Sequence, residues 1–115
     1  MIEIIEMNLE FLTQQIGIDT EAVIELLKIY RSEISEELQQ VQQLFERGDW
    51  HNLQRTIHNI KGVSANLYLE GMFTISTDID SKLKTQDYDK LDLLIGDLVR
   101  IFEATCLGIQ RAVEP

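Results

Sequence analysis

The sequence has few of the residues that build disulfides, metal sites or irregular loops. Cys106 is its only cysteine, and one proline occurs among 115 residues. An internal disulfide is therefore impossible, and a zinc site of the paired-cysteine kind cannot be assembled. Strand-like alternation, low-complexity tracts and convincing internal repeats are lacking too, so the pattern favours helices.

Membrane-spanning runs and an excess of basic residues are also missing. No apolar run approaches the roughly 18 residues that a membrane span needs. The acidic, interrupted start is unlike a signal peptide, so we expect a cytoplasmic protein with no membrane partner. Twenty acidic residues against ten basic ones give a formal net charge of −10. Because nucleic-acid affinity comes largely from Lys and Arg, this charge argues against a nucleic-acid partner.

What the sequence does contain is helical periodicity. Its length and its hydrophobic content of 44% predict one folded domain over residues 1–115. Apolar residues repeat at helical spacing in five segments. These predict a short helix over about 2–16 ending at Gly17, a helix from the Asp19 cap to Gly48, one from the Asp49 cap to about Leu67, one from Met72 to about Thr85, and one from the Asp87 cap through Ile109.

The four long segments have short connections, which favour antiparallel neighbours. The expected fold is therefore all-α: an antiparallel up-down-up-down four-helix bundle over about 19–112, with the short N-terminal helix added to it.

His58 is the candidate reactive residue. It lies roughly 130° from the apolar stripe of its helix, so it faces water. Lys61 and Gly62, three and four residues on, are its neighbours on the helix surface. The Lys61 ammonium disfavours a protonated ring and can pair with phosphoryl oxygens. Gly62 costs an exposed helix about 1 kcal/mol relative to Ala, and its bare backbone would let another protein approach His58.

The run from His58 to Leu67 reads H-x-x-K-G-x-S-A-N-L and is preceded by Asp49-Trp50 and Leu53. This pattern resembles the histidine-containing phosphotransfer (HPt) domain of two-component phosphorelays, over about residues 18–107. The resemblance implies that His58 is phosphorylated, that Lys61 stabilises the phosphoryl group and that Gly62 gives access.

The same resemblance implies the partners. A receiver domain's phosphoaspartate would donate the phosphoryl group and another receiver would accept it, so response-regulator receivers, a hybrid sensor histidine kinase, or both would bind this chain. The receiver would supply Mg²⁺, and the chain would need no cofactor or metal of its own.

The resemblance also points to two further site residues, and the sequence departs from the family pattern at one position. An acidic or polar residue of the next helix would lie beside the histidine, and Asp80 is the candidate for orienting the imidazole. Lys84, one turn on, could add positive potential. The alternative for Asp80 is a solvated place in the run with Asp78, Ser81 and Lys82. Tyr68 stands where the family usually has glycine, which puts the turn after the helix in doubt.

The sequence also bears on other functions. The sequence has neither a G-x-x-x-x-G-K-[ST] nor a G-x-G-x-x-G pattern, so we expect a phosphotransfer intermediate without kinase activity of its own. His51 lies about 10 Å along the helix from His58, too far to share a metal ion. The rival functions are a helical interaction module without phosphoryl chemistry and the phosphorylated module of a chemotaxis-type kinase. Nothing forces a dimer, so we expect a monomer.

Overall fold

The computed structural model describes residues 3–114, and all regular structure in that range is helical. The five helices are α1 (Leu9–Ile16), α2 (Thr20–Arg47), α3 (Trp50–Asn66), α4 (Glu70–Lys84) and α5 (Leu91–Val113). The four long helices form a bundle in which α3 packs on α2 and α4, while α5 packs on α2 and α4; α1 lies against α2. Within residues 3–114, no helix is long and apolar enough to cross a bilayer.

The apolar stripes of the long helices meet in one core. Its largest fully buried side chains include Tyr30, Leu53, Ile57, Ile60, Met72, Ile79, Leu98 and Ile109. A buried hydrogen bond joins Tyr30 Oη to Ser64 Oγ at 2.7 Å. Burial raises the pKa of Tyr30 far above its usual value, although the bond to Ser64 opposes the shift. The Tyr30–Ser64 hydrogen bond therefore links α2 to α3 at the level of Ser64.

Local signals set the ends of α2 as the sequence predicted. The Asp19 side chain accepts from the Ala22 backbone N–H at 2.8 Å, which satisfies one of the free donors of the first turn. At the other end Gly48 takes a left-handed backbone with φ 68°, and the Asp49 N–H bonds to the Leu44 carbonyl. This hydrogen-bonded ending is a Schellman motif.

The first helix is shorter than predicted. Its expected start at residue 2 lies outside the described residues, and residues 3–8 precede the helix without helical structure. The Asn8 side chain caps Leu9–Ile16 by accepting from Phe11 N–H. The segment before it instead docks on α5, where Ile5 N–H donates to the Ala104 carbonyl at 3.0 Å. A tertiary contact thus replaces the helix that the spacing of Ile5 and Leu9 predicted.

The expected cap of the last helix was wrong too. Asp87 does not cap it, because its carboxylate accepts from the Asp89 backbone N–H and from Lys82 Nζ at the end of α4. The helix begins at Leu91 after Lys90, which has a left-handed φ of 58° and no side-chain cap bond. Asp87 therefore closes the turn after α4.

Candidate functional site

His58 lies on the outer face of α3. Its side chain is 67% exposed, and Nδ1 lies 3.6 Å from Asp80 Oδ2. That distance is an electrostatic contact, longer than a hydrogen bond. A carboxylate beside Nδ1 favours the tautomer with the proton on Nδ1 and the lone pair on Nε2. The two ring nitrogens lie on opposite sides of an imidazole, so Nε2 faces away from Asp80.

Asp80 is the centre of the arrangement. It comes from α4 and is only 1% exposed, so it does not lie in a solvated run. Its Oδ2 is 3.2 Å from Lys84 Nζ and 3.5 Å from Lys61 Nζ, while its buried Oδ1 has no hydrogen-bond partner within the described part of the chain. Burial raises the pKa of Asp80, but the hydrogen bond and charge of Lys84, with His58 and Lys61, lower it more. The net pKa lies below the ordinary value, so Asp80 is ionised at neutral pH.

Two ammonium groups therefore face one carboxylate. Lys61 reaches Asp80 from α3, and Lys84 reaches it from one turn further along α4. With a neutral His58, the cluster carries a formal charge of +1 inside a protein whose total charge is −10. The cluster is therefore a local positive potential next to the exposed imidazole, which suits an anionic group such as a phosphoryl.

Gly62 leaves the helix backbone open next to His58. A Cβ built on it would meet no atom of residues 3–114 within 4 Å. Packing inside the chain therefore does not require a glycine here. Ala65, one turn on, is also exposed, so small residues continue along the face that His58 shares.

Tyr68 occupies the left-handed position that follows α3. Its φ is 57°, its N–H bonds to the Ala65 carbonyl, and the next N–H, of Leu69, bonds to Ser64. These two bonds define the same Schellman ending that Gly48 makes after α2. The departure from the family's glycine thus leaves the shape of the turn intact. The Tyr68 ring packs edge-on against Phe11 with centroids 6.2 Å apart.

The remaining candidates stay apart from this cluster. His51 is exposed in the first turn of α3. Cys106 is half-buried on α5, and burial raises the pKa of its thiol. Across residues 3–114, no group of three or more His, Cys, Asp or Glu side chains is arranged to hold a metal ion.

Sequence reasoning placed His58, Lys61 and Gly62 together because they share one helix. It missed that Asp80 is buried and that one of its oxygens contacts both lysines. The spacing of Asp80 and Lys84, four residues apart on one helix, was the available signal. It also missed an exposed aromatic group around the α3–α4 turn, formed by Phe11, Tyr68 and Phe73.

The site thus combines an exposed histidine on a helical bundle with a buried carboxylate and the two lysines that contact this carboxylate. The Hpt domain family model matches residues 25–105, so the chain belongs to the Hpt domain family. Searches of curated proteins and of solved structures return no match. Membership implies histidine phosphotransfer in two-component signalling, and Hpt domains interact with receiver domains and kinases in phosphorelays. Neither rival function is favoured by this result.

Proposed function

We propose that His58 accepts a phosphoryl group from the phosphoaspartate of a receiver domain and passes it, reversibly, to the aspartate of another receiver. The observation that carries this proposal is the contact of Asp80 with Nδ1 of a ring that is otherwise exposed. A nucleophilic imidazole needs its lone pair directed toward the incoming group, and this contact favours a free Nε2.

In the transfer step the Nε2 lone pair attacks phosphorus and forms the N–P bond. The bond between phosphorus and the aspartyl oxygen breaks, and its electron pair leaves with the receiver's carboxylate. The Nδ1 proton stays on the ring, next to Asp80, whose negative charge stabilises the positive charge that the phosphorylated ring acquires. The return step reverses these changes at the second receiver.

Lys61 and Lys84 stabilise the transferred group in this proposal. Both side chains reach water, so one ammonium can turn from Asp80 to a phosphoryl oxygen while the other stays beside the buried carboxylate. Gly62 gives the receiver room to approach, which is supported by the open space around it. Mg²⁺ is supplied by the receiver, and this chain contributes a positioned nucleophile and a docking face.

The architecture that goes with this function is an antiparallel up-down-up-down bundle acting as a single, monomeric domain. Short connections between consecutive long helices support the antiparallel order: Gly48 and Asp49 join α2 to α3, and residues 67–69 join α3 to α4.

The test is transfer of labelled phosphate from a receiver domain phosphorylated with acetyl phosphate. The native protein should take up label that is lost in acid and retained in base, and His58→Gln should take up none. His51→Gln is the matched control, since His51 is the only other histidine and lies on the same helix. ATP alone should give no label. Equal uptake by native protein and His58→Gln would refute the assignment.

A further inference from the structure

Three aromatic side chains are exposed around the turn between α3 and α4. Phe11 comes from α1, Tyr68 from the turn itself and Phe73 from the first turn of α4. Tyr68 is 45% exposed, and its ring packs edge-on against Phe11. We call Phe11, Tyr68 and Phe73 the aromatic cluster. Exposed aromatics in a group are typical of binding surfaces, where they are enriched among the residues that contribute most energy.

The aromatic cluster continues the face of His58. A shallow groove of about 200 Å³ is lined by Ala65, Tyr68 and Phe73, together with Ser64, Leu69 and Glu70. Ala65 lies seven residues after His58, two helical turns along the same face, or roughly 10 Å. Gly62 lies between them and is exposed. An open path of small residues therefore leads from the imidazole to the groove.

Tyr68 has a left-handed backbone conformation that is unfavourable for a residue with a side chain. A residue with a Cβ is disfavoured at a φ of 57°, and glycine serves in the equivalent position after α2. The ring does not fill the core, because it is nearly half exposed. One side of the ring packs on Phe11, and its exposed part is free to make a contact outside the chain.

We propose that Tyr68, with Phe11 and Phe73, binds an apolar surface of the receiver domain that phosphorylates His58, and so determines which receivers this protein accepts. This inference rests on the proposed function. An ordinary interface covers about 800 Å² on each partner, a patch with a radius of roughly 16 Å. A receiver centred on His58 therefore extends over the groove and reaches Tyr68, about 15 Å along the helix direction.

The test uses Tyr68→Gly against a matched control, Gln86→Gly. Gln86 follows α4 with a φ of 55° and makes the same pair of bonds, in which Gln86 N–H bonds to Leu83 and Asp87 N–H to Lys82. Both substitutions relieve a left-handed residue, and thermal unfolding of each variant checks that both remain folded. Only Tyr68→Gly removes a side chain of the aromatic cluster.

A panel of purified receiver domains from the same genome is phosphorylated with acetyl phosphate, and the fastest donor to the native protein is chosen. With that receiver, Tyr68→Gly should raise KM by about tenfold, the loss of one interface anchor, with the maximal rate retained. Gln86→Gly should keep the native KM. Phosphoramidate, a small donor that needs no docking, reports on His58 itself, so the ratio of receiver-driven to phosphoramidate-driven labelling should fall only in Tyr68→Gly.

The two hypotheses fail in different ways. If no receiver labels the native protein, the proposed function is wrong. If a receiver labels native protein and Tyr68→Gly with the same KM, the role of Tyr68 is wrong and the proposed function stands. Phe73→Ala provides a second measurement on the same groove and should raise KM in the same direction. An unchanged KM in both variants overturns the inference.

Discussion

Replacing Asp80 by asparagine tests the electrostatic centre of the site. Asparagine has nearly the same shape, so the change removes a charge and leaves packing intact. In the native protein Asp80 Oδ2 lies within 3.2 to 3.6 Å of Lys84, Lys61 and His58. In the variant the two ammonium groups face each other across a neutral amide. The expected result is a less stable fold at neutral pH.

The size of the loss in unfolding free energy depends on which of the charged groups are buried. Hydrogen bonds to charged groups contribute about 1.5–3 kcal/mol each, and removing one partner of a fully buried pair costs about 3–5 kcal/mol. Here only the carboxylate is buried, while Lys61 and Lys84 both reach water and can turn to it. An ion pair whose partner is exposed to water contributes far less to the free energy of unfolding. We therefore expect Asp80→Asn to lower the free energy of unfolding by about 2 kcal/mol at pH 7.

The pH dependence provides the sharper check. The pKa of Asp80 is lower in the folded protein than its ordinary value, because its cationic partners outweigh the opposing effect of burial. Its contribution to stability is complete above the unfolded pKa of about 3.9 and is lost as pH falls through the folded pKa. The difference between native protein and Asp80→Asn should thus be constant near neutrality and shrink below about pH 4.

Urea unfolding followed by Trp50 fluorescence measures both quantities. Trp50 is the only tryptophan, and it stacks on Tyr88 with centroids 4.3 Å apart, so its emission should change on unfolding. Asp78→Asn is the control, because Asp78 is exposed on the same helix; it should change stability by less than about 0.5 kcal/mol. Equal stability of native protein and Asp80→Asn at pH 7, or a difference that persists unchanged at pH 3, would refute the reasoning.

Two further substitutions probe the packing that holds the site in place. A Cβ on Gly108 would clash with the Ile5 carbonyl oxygen, so Gly108→Ala should displace residues 3–8. Amide hydrogen exchange should then show loss of protection at Ile5 N–H. Retained protection would show that the position of this segment does not depend on the close approach to Gly108. Ser64→Ala leaves the buried Tyr30 hydroxyl without its partner and should cost about 1–3 kcal/mol in urea unfolding, whereas Tyr30→Phe, which removes the hydroxyl itself, should cost less.

The helices were predictable because their signals are local. Asp19 and Gly48 bound α2 within a residue of the observed Thr20–Arg47, since a capping side chain and a left-handed glycine act on their own backbone neighbours. The same logic failed at Asp87, whose side chain bonds across the turn to Lys82. It failed at the N-terminus because Ile5 N–H donates to the Ala104 carbonyl of α5, a residue far away in the sequence.

The sequence by itself determined the helical class, the position of His58 on an outer face and its neighbours Lys61 and Gly62, because these depend on spacing along one helix. Only the tertiary structure decided that Asp80 is buried beside Nδ1, that Lys61 and Lys84 contact the same oxygen, and that Phe11 packs against Tyr68. Those side chains belong to different helices or distant turns. Their distances depend on how the apolar stripes pack against one another, which no single stretch of sequence encodes.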